Sequence, residues 1–138
     1  MPLEGGNPTK PAEWLRRARS NLFRAKIVPA IPDVLYEDSC FDAQQAAEKA
    51  IKALLVHLAV QFPRTHSIVD LLTLVDQSGL SVPSEVRAAG ILAAYAVESR
   101  YPGLCEGVTR EDYFKAIELA ESVVAWAERT IESSADDK

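Results

Sequence analysis

Cysteine is scarce in this chain: two residues, Cys40 and Cys105, among 138. They form no CxxC pair, and the two histidines, His57 and His66, do not complete a metal-ligand cluster with them. A disulfide scaffold and a zinc module are therefore excluded, and two reduced thiols of a cytoplasmic protein are expected. No apolar run approaches the ~18 residues of a membrane span. Met1–Lys10 is rich in Gly and Pro and has no apolar core of signal-peptide length. No membrane association, no metal and no cofactor is expected. Internal repeats, a Gly-rich phosphate loop and strand-like alternation are also missing.

Positive charge is in deficit. Fifteen Lys and Arg stand against twenty Asp and Glu, a formal net charge of −5. Such a chain does not coat a nucleic-acid backbone, so any nucleic-acid role needs a local basic patch. What is abundant is Ala and Leu with few β-branched runs, a mix that favours helix over sheet. The length is that of one domain, sufficient for a core without cross-links. The expected organisation is a flexible leader over 1–10, a single helical domain over 11–132 and a polar tail over 133–138.

Apolar spacing and punctuation predict an all-α, up-and-down bundle of about five helices, four long and one short. Pro11 opens the first, about Ala12 to Val28, with Leu15, Ala18, Leu22 and Ala25 on one face before Pro29 and Pro32. The second starts near Asp38 or Ser39 and is expected to reach Phe62, before Pro63. Phe41, Ile51, Leu55, Leu58 and Phe62 form its large apolar stripe. Ala43, Ala46, Ala50 and Ala53 form a second stripe of small residues that lets another helix come close. A helix apolar on two faces belongs at the centre. A short third helix, about Ser67 to Gln77, ends at Gly79. The fourth, about Pro83 to Tyr101, presents Val86, Gly90, Ala93, Val97 and Tyr101. The fifth begins at Thr109, with Asp112 three residues on as a capping pair. It runs to about Glu132 with Tyr113, Ile117, Ala120, Val124, Ala127 and Ile131 inward.

Several polar residues stand out from this pattern. Arg16, Arg17, Arg19, Arg24 and Lys26 crowd the first helix, and no acid lies between Glu13 and Asp33. They read as a phosphate-attracting patch or as the solvated face of an amphipathic helix. Gln44 and Glu48 fall on an apolar stripe, where polar groups need partners. They face either a ligand or arginine, or a structural hydrogen bond at the rim. Lys49 and Lys52 are expected to face solvent. His66 stands in a loop as a general acid or base, or as a brace for the third helix. With no partner close in sequence, the brace is the preferred reading. His57 is expected to be a packing or surface residue. Arg100 complements the dipole at the fourth helix's end; with Tyr101 it reads as an exposed corner suited to phosphate or, as the spacing alone prefers, as helix termination with an ion pair.

Three ordered segments resemble the HEPN family: Cys40 to Leu55 of the central helix; Arg64-Thr65-His66 with Leu71-Leu72; and Glu98-Ser99-Arg100-Tyr101-Pro102. The likeness spans roughly residues 12 to 130. It implies the same bundle, commonly as a homodimer. It also implies frequent association with a small nucleotidyltransferase, often as a toxin–antitoxin pair. Some relatives are metal-independent ribonucleases that use an arginine followed a few residues later by a histidine. Arg100 matches the arginine, but Cys105, Glu106 and Gly107 occupy the histidine window, and Asp42 stands where many relatives carry histidine. Such enzymes use the histidine as acid or base and the arginine to steady the phosphate. With Arg100 alone, phosphate binding survives and proton transfer does not.

The resemblance therefore implies a binding or partner domain without catalysis, its ligand a nucleotide or RNA phosphate. The implied site residues are Arg100, Glu48, Gln44, Tyr101 and His66, with Arg100 expected to pair with Glu48. The alternative is a ribonuclease toxin with a non-standard site that recruits His66.

Overall fold

The computed structural model describes residues 10–27, 35–96 and 108–136. Helix α1 is Pro11–Ile27, α2 is Tyr36–His57 and α3 is Ile68–Gln77. A short α4, Ser84–Arg87, continues as a 3₁₀ segment over Ala88–Ala96, and α5 is Arg110–Asp136. No strand occurs among the described residues.

Several boundaries follow from local chemistry. Pro11 heads α1, where its missing N–H costs nothing. Thr109 and Asp112 form the reciprocal cap of α5: the Thr109 N–H donates to Asp112 Oδ2 at 3.0 Å, and the Asp112 N–H to Thr109 Oγ1 at 3.0 Å. Gly79, just past α3, takes φ of 100°, a conformation open to glycine. Helix α5 continues through the segment expected as a polar tail, as far as Asp136.

Helix α2 is the centre and packs against α1, α3, the 3₁₀ segment and α5. Its small-residue stripe is completely buried at Ala43, Ala46, Ala50 and Ala53, as are Ile51, Leu54 and Leu55. Each of those three large side chains contributes roughly 1.5–3 kcal/mol by leaving water. Tyr36 stacks on Tyr113 at 5.2 Å, joining the start of α2 to the start of α5.

Two expectations need correction. Helix α2 does not reach Phe62; it stops at His57. The Ala59 N–H donates to Val56 O at 3.1 Å and the Val60 N–H to Leu55 O at 2.9 Å. That is the paired closure of a Schellman motif, with Ala59 at φ of 61° where glycine is usual. Leu58 and Phe62 therefore lie beyond the helix rather than on its stripe. The fourth helix is α-helical only to Arg87. Gly90, the poorest helix former in the run that follows, lies so close to α3 that an added Cβ would meet Val69 Cγ2 at 2.8 Å. Val97 and Tyr101 lie outside the described residues.

Candidate cationic cleft around Glu48

The early stop of α2 determines what comes together. Had the helix run on to Phe62, that residue would lie roughly 20 Å along the axis from Glu48. Instead the chain turns back after Leu58. Phe62 meets Trp14 edge-on at 6.2 Å, and His66 returns to Glu48, 18 residues earlier in the chain.

Glu48 is 3% exposed and takes three hydrogen bonds. Its Oε1 accepts from Gln44 Nε2 at 2.8 Å and from His66 Nδ1 at 3.0 Å, and its Oε2 accepts from Lys52 Nζ at 2.7 Å. Gln44 is itself fully buried, and its Oε1 accepts from Gln45 Nε2 at 2.7 Å. Burial alone would push the Glu48 carboxyl up; the bonds from Lys52, His66 and Gln44 more than reverse this and hold it below its ordinary value. It is thus an anion at neutral pH.

Lys52 is almost entirely covered rather than solvent-facing. Its ammonium lies 5.6 Å from the Trp14 ring centre and 5.7 Å from that of Phe62. Lys49 is also half-buried and is held below its ordinary pKa chiefly by desolvation. It donates to Asn21 Oδ1 at 2.8 Å, while Asn21 Nδ2 donates to Asp42 Oδ1 at 3.0 Å. That buried network ties α1 to α2. Neither lysine faces solvent freely, because Trp14 and Asn21 of α1 and Phe62 of the returning segment cover their side of α2.

Beside Glu48 lies an open cleft of about 280 Å³, lined by Lys52, Phe62, Pro63, Arg64, Thr65 and His66. The loop is braced: the Ser67 N–H donates to Thr65 Oγ1 at 3.0 Å, and Ser67 Oγ caps α3 by accepting from the Asp70 N–H at 3.2 Å. His66 therefore stands beside the start of α3 but is tied to Glu48. Arg64 is exposed. The cleft can hold an anion between Lys52 and Arg64 and lay a flat group on Phe62. Among the described residues, no group of three or more His, Cys, Asp or Glu is placed to hold a metal ion.

The five cations of α1 do not form a free positive patch. Arg16 and Arg17 lie 3.8 and 3.6 Å from Glu13, and Arg19 lies 2.5 Å from Glu128. Arg24 lies 3.7 Å from Asp42, and Lys26 pairs with Glu121. Carboxylates from α2 and α5 supply what the local sequence lacks. Arg100 and Tyr101 lie outside the described residues, so their expected juxtaposition with Glu48 is not described. Among the described residues, Lys52 is the lysine or arginine on the Glu48 carboxylate. Its spacing, four residues after a glutamate on the same helix, was a readable signal. Arg64 stands in the Arg64-Thr65-His66 segment of the family resemblance, whereas Phe62 had no such signal, because helix continuation through it put it on the apolar stripe of α2.

The architecture defines an all-α bundle domain whose central helix carries a buried carboxylate bonded to two side chains, Lys52 and His66, that line an open cleft. A family model, the HEPN domain, matches residues 11–130, and the chain belongs to that family. The crystal structure of ST0689, an archaeal HEPN homologue, is similar: 29% identity, 88% of this chain and 98% of that one covered, TM-score 0.71. No curated protein matches. None of the described helices is long and apolar enough to cross a membrane.

Proposed function

We propose that the cleft binds a nucleotide or a stretch of RNA by its phosphate, without catalysis, in a cytoplasmic HEPN-family binding domain. The observation that carries this reading is the convergence of Lys52, Arg64 and His66 around one open cleft beside the Phe62 ring. Two of these, Lys52 and His66, are oriented from behind by Glu48. Preorganised side chains lose little freedom on meeting a phosphate, and an aromatic face accepts any base. Gln44 supports Glu48 rather than touching the ligand. Arg100 and Tyr101 join the proposed site on the family resemblance alone, as do a homodimeric state and a small nucleotidyltransferase partner.

The test is binding of a labelled short single-stranded RNA, read by fluorescence anisotropy at fixed salt. Arg64→Ala weakens binding about tenfold, the scale of one lost charge-assisted contact. Arg110→Ala, whose guanidinium sits 5.3 Å from the Phe114 ring outside the cleft, leaves it unchanged. Equal loss in both variants would indicate diffuse charge attraction and defeat the reading.

A second reading, a metal-independent ribonuclease, is favoured by one contact: the bond between the Glu48 carboxylate and His66, which orients an imidazole as an acid or base. The expected result remains that purified protein leaves RNA intact in chelator. Cleavage that disappears in His66→Ala would promote the enzyme.

A further inference from the structure

The segment that follows α4 holds two apolar registers in one stretch of sequence. In the structure its burial repeats every three residues. Val86, Ala89 and Leu92 are buried, and Tyr95 is partly buried against the core. Ala88, Ile91 and Ala94 are exposed. Three residues make one turn of a 3₁₀-helix, so this spacing keeps one face on the bundle throughout Ala88–Ala96. An α-helix turns by about 100° per residue, so from Val86 to Tyr95 its face would drift by about half a turn. Wound as α, the same chain would align Val86 with Gly90 and Ala93, the small-residue stripe that the sequence predicts. Leu92 and Tyr95 would leave that stripe.

The observed register is the less usual one for these residues. A 3₁₀ run longer than about four residues is uncommon, because its hydrogen bonds are poorly aligned. This run covers nine residues, and five of them are alanine, the strongest α-helix former. Tertiary contacts hold it. Leu92 is completely buried, and the Tyr95 hydroxyl donates to the Cys40 sulfur of α2. The Gly90 backbone lies against Val69 of α3. Towards α5 the fit is looser: a groove of about 60 Å³ separates Ile91, Leu92 and Tyr95 from Ala116 and Leu119.

We infer that Ala88–Ala96 is a register switch: the 3₁₀ form, which buries Leu92 and ties Tyr95 to Cys40, is in equilibrium with an α form that continues α4, turns Gly90 and Ala93 inward and releases Tyr95. Rewinding shortens the segment by about 4.5 Å, because the rise per residue falls from about 2.0 to about 1.5 Å. It also turns Tyr95 by about half a turn relative to α4. The switch therefore controls access to Cys40 and the packing along the α5 groove. None of the described residues lining the cleft beside Glu48 belongs to this segment, so the device stands apart from the proposed binding site.

NMR separates the two forms without any ligand. A 3₁₀-helix brings Hα of residue i close to the amide proton of i+2, and an α-helix brings it close to that of i+4. The wild type should show the i,i+2 pattern across Ala88–Ala96. Its Ile91 to Tyr95 amides should show exchange in relaxation dispersion, which reports minor forms on the μs–ms scale. Gly90→Ala should favour the α form, since alanine is the better helix former and an added Cβ stands 2.8 Å from Val69 Cγ2 in the 3₁₀ register. It should show the i,i+4 pattern, and in a Cys105→Ser background maleimide should label Cys40 about fivefold faster, the scale of that propensity difference. Adding Val69→Ala, which removes the close contact, should move the pattern back towards i,i+2. Tyr95→Phe, which removes only the hydroxyl, supplies the test if Gly90→Ala does not fold: Cys40 labelling should quicken about two- to tenfold, the worth of one hydrogen bond. An i,i+4 pattern through Ala96 in the wild type would overturn the inference. So would flat dispersion in the wild type with unchanged Cys40 labelling in the variants. Faster labelling of Gly90→Ala with the i,i+2 pattern retained would mean local unfolding rather than rewinding and would overturn it as well.

Discussion

A buried carboxylate without donors would be among the costliest groups in the molecule. Glu48 avoids that cost through Lys52, His66 and Gln44, and the same bonds hold its pKa below the ordinary value of 4.5. A depressed carboxylate contributes stability that is present above its unfolded pKa and lost as pH falls through the folded one. Glu48→Gln should therefore cost about 1–3 kcal/mol at neutral pH. The deficit should shrink steadily in urea denaturation series taken below about pH 4.5. A deficit independent of pH would show that the charge of Glu48 contributes nothing.

Cys40 makes the contrasting case. It is fully buried, and its thiol is pushed up to about 12 by burial, with Asp112 and Glu37 adding to the effect. In a Cys105→Ser background the native protein should resist a maleimide that labels the urea-unfolded chain completely. Rapid labelling of the native protein would mean that the α2–α5 contact opens readily.

At the scale of elements, the decisive feature is the end of α2. Ala59 adopts a left-handed conformation that a non-glycine residue enters at a cost of roughly 1–2 kcal/mol. Packing of the returning segment, including Phe62 on Trp14, offsets that cost. Ala59→Gly should raise stability by about 0.5–1 kcal/mol, measured from the denaturation midpoint at unchanged slope. A loss of stability would mean that Ala59 packs in a way its exposure does not suggest.

At the scale of the whole molecule, an acidic chain carries a cleft lined by Lys52 and Arg64 while the five cations of α1 each face a carboxylate of α1, α2 or α5. Those largely exposed pairs contribute little to stability, but they keep α1 from presenting a free positive face. The surface also retains large apolar side chains: Phe23 and Ile27 one turn apart on α1, and Ile91 beside the contact of Gly90 with Val69. In the proposed homodimer, exposed apolar side chains of this kind are the ones an interface would cover. Light scattering at tens of micromolar should read a dimer. A monomer at that concentration would count against it.

How much could be read in advance differs with the range of the interactions. Pro11, the Thr109–Asp112 cap, Gly79 and the inward face of α5 were legible because each depends on groups within about four residues. Four-residue spacing also placed Gln44, Glu48 and Lys52 on one helix, and the burial of Glu48 made donors obligatory. Which donors arrive was settled by tertiary structure. His66 comes from 18 residues away because the chain turns at Ala59, and Arg19 finds Glu128 across 109 residues. The stop at Ala59 itself was hidden, since alanine ordinarily continues a helix and only the packing beyond it favours the turn. Sequence by itself determined the all-α character, the starts of α1 and α5, the end of α3 at Gly79 and the demand for a counter-charge at Glu48. Only the packed bundle decided which charges meet, because that depends on which helix faces are pressed together.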